Sequence, residues 1–216
     1  MSASTLISRF ATYYERNGFT GTLQRIGVGI HRLFFSNRMV LMHCDLTKLD
    51  AREDLPASLT VERKNSQTEI SQQDLDEILN FWNAQEARNE ITTRFARKAT
   101  LWMIKSDGKL AGYVWTMQGD SMVPHYFPLG PHDVHFFDLL IYPGFRGRAI
   151  NWVLITHVLH ELAAGGATRA FSEVKEWNRV SMASFTMTPF QIHGMCRKFV
   201  LFDHPIVWWD KKSTRP

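Results

Sequence analysis

One stretch, residues 137–151, restricts the fold of this chain more than any other. An apolar run over 134–142 is stopped by Pro143, turns through Gly144 and Gly147, and gives way to an apolar-periodic segment that ends at Gly165. The run has strand length and the segment has helix length, with Pro closing the first and Gly the second. The first amides of such a helix have no carbonyl partners of their own. With the positive end of the helix dipole and Arg146 and Arg148 beside them, they suit a pyrophosphate, and Gly147 lets the backbone approach it without a Cβ in the way. An ordinary strand-turn-helix with surface arginines fits the same residues.

The chain of 216 residues is 44% hydrophobic, enough to bury a full core, which predicts one domain with an appendage. Its formal charge is +4, and the basic residues are dispersed rather than alternating with aromatics, so no nucleic-acid partner is expected. Cys44 and Cys196 form neither a metal-ligand spacing nor a C-x-x-C pair; no metal is expected, and both read as free thiols of a reducing, cytoplasmic compartment. Arg9 and Glu15 interrupt the first apolar stretch, unlike a signal peptide, and no run approaches the ~18 apolar residues of a bilayer span.

Residues 1–58 read as an N-terminal helical extension and linker, and 59–216 as the main domain. Within 5–35, Leu23, Ile26, Ile30, Leu33 and Phe34 share one helical face, with Arg25, His31 and Arg32 toward the other. Such a helix either packs on the main domain or makes peripheral contact with an anionic membrane. A strand is expected at 39–43. The main domain opens with a strand over 59–64, then a helix capped by Ser71 with Leu75, Ile78, Leu79 and Trp82 on its apolar face, then a second helix over 85–96. Asp107-Gly108 between two apolar-rich runs predicts a hairpin. After the organising strand and helix come a buried strand over 170–174, a short helix from Asn178 to a stop at Pro189, and two last strands. This order argues an α/β fold, a mixed sheet covered by helices.

Three motifs in that order resemble the GNAT superfamily of N-acetyltransferases over residues 59–209. The first is the turn Arg146-Gly147-Arg148-Ala149-Ile150-Asn151, where Ala149 and Asn151 replace two glycines of the family pattern. Ala is tolerated if the backbone is already helical there, whereas Asn151 would either crowd a phosphate or point away. The second is Asn178-Arg179-Val180-Ser181 followed by Pro189-Phe190, with Glu173-Val174 upstream. The third is the hairpin through Gly112. The resemblance implies a central sheet with a splayed strand pair, with acetyl-CoA as acyl donor held by Arg146, Gly147, Arg148, Ala149, Ile150, Asn178 and Ser181. Direct transfer to a small-molecule amine, rather than a covalent enzyme, is expected because no Cys or Ser lies beside an evident base in the motif region. The aromatic loop at 122–131 and the basic amphipathic N-terminal helices together favour an amino sugar or a membrane-linked small molecule over a protein terminus.

Attack by an amine builds an oxyanion, for which the backbone amide of Leu140 or Ile141 is the candidate donor. A base must take the amine proton. Asp138 comes first, because an acid in so apolar a strand needs a task or a partner; pairing with a nearby arginine is the alternative. Glu173 and His135 follow. Family members often carry a Tyr as general acid where this chain has Phe185, leaving Tyr142, Cys196 or water. A protein that kept the cofactor cradle without turnover, and one that docks through its N-terminal helices, are the rival readings.

Overall fold

In the computed structural model, residues 38–121, 126–201 and 204–210 are described. The helices expected within 5–35, and the membrane contact assigned to them, lie outside the described residues. Eight strands of the described residues form one sheet: β1 (Arg38–Asp45), β2 (Leu59–Lys64), β3 (Thr100–Ser106), β4 (Lys109–Gln118), β5 (Asp133–Ile141), β6 (Arg169–Lys175), β7 (Gln191–Leu201) and β8 (His204–Trp209). Their spatial order is β2-β3-β4-β5-β6-β1-β7-β8. β5 and β6 run parallel, while β1 lies antiparallel to β6. Among the described residues, four α-helices accompany them: α1 (Gln72–Phe81), α2 (Ala84–Ala96), α3 (Ile150–Ala164) and α4 (Arg179–Thr186). This is the expected mixed α/β architecture.

The domain boundary needs correction. β1 falls inside the stretch assigned to the extension, yet it pairs with β6 from Met39↔Lys175 to Asp45↔Arg169, and the compact unit begins at Met39 rather than Leu59. Val40, Met42 and Cys44 pack on the α3 side while Leu41 packs on the other, the period-two pattern of a strand covered on both faces.

Local chemistry accounts for the remaining elements. Ser71 Oγ accepts the Asp74 N–H at 3.2 Å and donates to its carboxylate at 2.6 Å, a reciprocal cap worth about 1 kcal/mol to α1. Trp82 does not extend the apolar face of α1. It is the C-cap, half exposed, and its indole N–H reaches Tyr113 Oη at 2.9 Å. Leu154, Ile155, Val158 and Leu159 of α3 are fully buried against one sheet face. Leu75, Ile78 and Leu79 of α1 and Ile91 of α2 cover the other, over β3 and β4. At about 1.5–3 kcal/mol for each large side chain, these two layers hold the sheet at the junction of β4, β5 and β6.

Candidate active site

Strands β5 and β6 pair only from Asp133↔Arg169 to Phe136↔Ser172. At this closed end the buried Asp133 carboxylate accepts from Arg169 Nε and Nη2 at 2.8 and 2.9 Å and from the Gly130 amide at 2.7 Å, a bidentate tie between the strands. Beyond Phe136 they part, and β5 shows why. Against β4, Trp115 faces Phe137 but Tyr113 faces Leu140, so β5 takes three steps where β4 takes two. The extra residue is within a bulge where Asp138 has φ 52°, and a bulge bends its strand. The insertion also exchanges faces: Phe137 and Leu140 both pack toward α1 and α2, while Phe136, Leu139 and Ile141 pack toward α3. Gly112 makes the close pairing possible, since a Cβ there would sit 2.5 Å from the Leu140 carbonyl oxygen.

The parting opens a cleft of about 690 Å³. Residues 137–141 of β5 line one side, 172–175 of β6 the other, with Arg146, Gly147 and Ile150 at one end and Asn178, Ser181 and Phe185 beside them. Backbone alternation sorts the two oxyanion candidates. The Tyr142 N–H donates to the Ala111 carbonyl at 3.0 Å, which turns the N–H and C=O of Leu140 toward β4 and those of Ile141 away from it. The Ile141 carbonyl then accepts from Arg146 Nε at 3.1 Å.

The turn into α3 is more contorted than its sequence suggests. A 3-10 turn over Pro143–Phe145 comes first, then Gly147 at φ 77° and Ala149 at φ 55°, both left-handed. Ala149 is therefore not helical; it is the N-cap of α3 and offers no side-chain cap. The helix's first amides are left for a ligand, and the curled backbone is of the kind that forms anion-binding concavities. Arg146 reaches this mouth; Arg148 lies over the Phe145 ring at 5.9 Å, and neither it nor Ala149 lines the cleft. Asn151 borders the cleft as well, its amide nitrogen donating to the Ser184 carbonyl at 3.4 Å. Asn178 caps α4, its side-chain oxygen accepting the Ser181 N–H at 3.2 Å, while both residues face the cleft.

Of the three acid-base candidates, two carboxylates line the cleft from opposite strands. Asp138 has the alternative fate: its Oδ2 accepts from Arg94 Nη1 at 2.5 Å. Arg94, on α2, also donates to Glu90 at 2.8 Å and lies over Trp115 and Phe137 at 5.1 and 5.4 Å. Glu173 is in close contact with Nε2 of His135, which is buried behind it and stacked on Phe137 at 5.5 Å. The substitutes for a general acid are elsewhere. Tyr142 is buried on the α1 side and Cys196 on β7, packed with Leu41, and neither lines the cleft. Burial, aided by Glu173 and Asp210, pushes the Cys196 thiol up to about 12, and burial raises the Tyr142 hydroxyl above its ordinary range. Phe185 packs edge-on against Phe190 at 5.2 Å. Sequence reasoning missed Arg94 altogether, because an arginine four residues after a glutamate reads as a routine helix-surface pair.

A mixed sheet opened between two parallel strands, beside an uncapped helix end, places the molecule among the acetyltransferases by architecture. Residues 63–187 match the family described as "Acetyltransferase (GNAT) family", and the chain belongs to it. Two uncharacterised N-acetyltransferases, from Mycobacterium tuberculosis and Mycobacterium bovis, are each 28% identical over 121 residues, 54% of this chain and 70% of theirs. Among solved structures, a protein of the GNAT family from Novosphingobium aromaticivorans superposes with a TM-score of 0.50 at 15% identity, covering 74% of this chain and 61% of that one. An acetyltransferase of the family from Colwellia psychrerythraea gives 0.52 at 14%, covering 72% and 52%. The chain thus spans between half and two thirds of those structures, and the likeness is one of fold. Among the described residues no helix is long and apolar enough to cross a membrane, and no group of three His, Cys, Asp or Glu could hold a metal.

Proposed function

We propose that this chain transfers the acetyl group of acetyl-CoA directly to a primary amine, with Glu173 as the base. The observation that carries the reading is the cleft itself, which begins where β5 leaves β6 and runs to the uncapped amino end of α3. Pyrophosphate fits the amides there with Arg146, and the amide-like pantetheine arm fits the backbone edges that β5 and β6 turn toward each other, with the Asn178 side chain alongside. The thioester carbonyl then lies near the bulge, where the Ile141 amide is the donor turned to the cleft.

The amine nitrogen attacks the carbonyl carbon; a C–N bond forms and the carbonyl electrons collect on oxygen, stabilised by that N–H. Glu173 accepts the amine proton directly or through water, with His135 holding its carboxylate in place. The C–S bond breaks as the carbonyl reforms. The thiolate, whose ordinary pKa is about 8.5, leaves and takes a proton from solvent, since Phe185 has none to give. Glu173 is preferred over Asp138 because Arg94 already engages the carboxylate of the latter.

Titration calorimetry with acetyl-CoA, joined to a thiol-release assay over a panel of amines, tests this. Binding together with amine-dependent release of CoA supports the reading; binding without any release makes the protein an acyl-CoA binder, and no binding removes the cleft from the account. A truncation used to examine the N-terminal segment must keep Arg38 and all that follows, because a chain starting at Leu59 lacks β1.

A further inference from the structure

One of the two carboxylates that line the cleft, Asp138, takes no part in the proposed mechanism. Asp138 sits at the bulge that opens the cleft, in a left-handed conformation at φ 52° that few residues other than glycine adopt and that Asp tolerates better than most. Strained positions of this kind persist when surrounding structure over-determines them, and they cluster at ligand clamps. Here the surroundings are explicit. Arg94 meets one oxygen, Oδ2, and is itself fixed by Glu90 and by the rings of Trp115 and Phe137. Asp138 remains about one-third exposed at its side chain, and it lines the cleft.

A carboxylate accepts about four hydrogen bonds, and a single contact at Oδ2 leaves capacity at the other oxygen. Held at Oδ2 by a guanidinium, it is suited to act as a fixed acceptor of a neutral donor. Pairing of β5 with β6 ends at Phe136↔Ser172, so Glu173 lies one residue past the last pair and Asp138 two residues past it, on the facing strand. One side of the gap thus carries the proposed base and the other a held acceptor.

Resting on the transfer reaction proposed above, we infer that the acceptor is an amine with a hydroxyl on a neighbouring carbon, its nitrogen at Glu173 and its hydroxyl donating to Asp138. Arg94 is the positioning residue that holds Asp138 for this task. A site built to bond a hydroxyl discriminates against the analogue that lacks it, because its own polar group is left unpaired.

Two matched pairs probe the claim: ethanolamine with ethylamine, and trans-2-aminocyclohexanol with cyclohexylamine. The wild-type chain prefers the hydroxylated member of each pair by about 10- to 100-fold in kcat/KM, mostly through KM. Asp138→Ala and Arg94→Gln bring that ratio close to unity without changing the Kd for acetyl-CoA, and Arg94→Lys keeps part of the preference. A scaffolding role for the pair would lower turnover of both amines alike and leave the ratio untouched, which would overturn the inference, as would equal treatment by the wild type. Should no amine turn over, the transfer reading fails, and the ratio is taken instead from calorimetric binding of the same amines to the protein saturated with CoA. Preference for the hydroxylated amines in that complex upholds the subsite; equal binding or none removes it.

Discussion

From Val134 to Phe136, strand β5 is buried and laddered to a neighbour on each side, with the buried Asp133 joined to β6 just before; from Phe137 to Ile141 the same strand has β4 alone, and Asp138 stands exposed in the gap. Both halves hold an acid beside an arginine. In the closed half Asp133 meets Arg169 through two hydrogen bonds and ties β5 to β6; in the open half Asp138 meets Arg94 and ties β5 to a helix instead. One pair closes the sheet and the other stands where it is open. The contrast shows that the candidate site comes from a missing strand partner rather than from a distinctive set of side chains.

If the open half performs the chemistry, Glu173→Gln should lower amine-dependent turnover by about 10²- to 10⁴-fold while Tm hardly moves, since Gln can still contact His135. Comparable loss of folding would put Glu173 with the scaffold. The closed half should respond in the opposite way. Asp133→Ala leaves the Gly130 amide and a half-exposed Arg169 without their acceptor, and is expected to destabilise by about 2–3 kcal/mol in urea unfolding with kcat preserved at temperatures where the protein is folded.

Gly112→Ala acts at the boundary between the halves. Its Cβ would press on the Leu140 carbonyl, so a loss of about 1–3 kcal/mol should come with weaker acetyl-CoA binding, because β5 shifts at the cleft. Ala149→Gly relieves a left-handed alanine and should add roughly 0.5–1 kcal/mol to thermal stability. The smallest effect is a matter of access. Burial, with Asp45 adding to it, pushes the Cys44 thiol up to about 11, and Cys196 goes to about 12. Neither should react with iodoacetamide at pH 8 until urea is added, whereas Ser184→Cys, on the cleft wall, should react readily in the native protein.

Much of this was readable from local chemistry. Pro143 ends β5, Ser71 caps α1, and Asp107-Gly108 turns β3 into β4, each by a device confined to a few neighbouring residues. The mouth at Arg146 and Gly147 was legible for the same reason. The bulge was not, because an extra residue in an apolar run leaves the run apolar; its trace is Gly112, the glycine on the facing strand that makes room for it. Arg94 was hidden by its ordinary helical spacing, and its meaning depends on Asp138, far away in sequence. The place of β1 was equally hidden, since strand pairing over such separations has no short-range signature.

That place bears on how the chain is made. β1 emerges from the ribosome early, but the strand it joins, β6, is synthesised well over a hundred residues later. At roughly 5–20 residues per second, Val40, Leu41 and Met42 wait on the order of ten seconds for a neighbour. A nascent polypeptide carrying so greasy an unmatched ribbon is exposed to premature association with other chains, and holdase chaperones, more than intrinsic folding speed, should govern its yield.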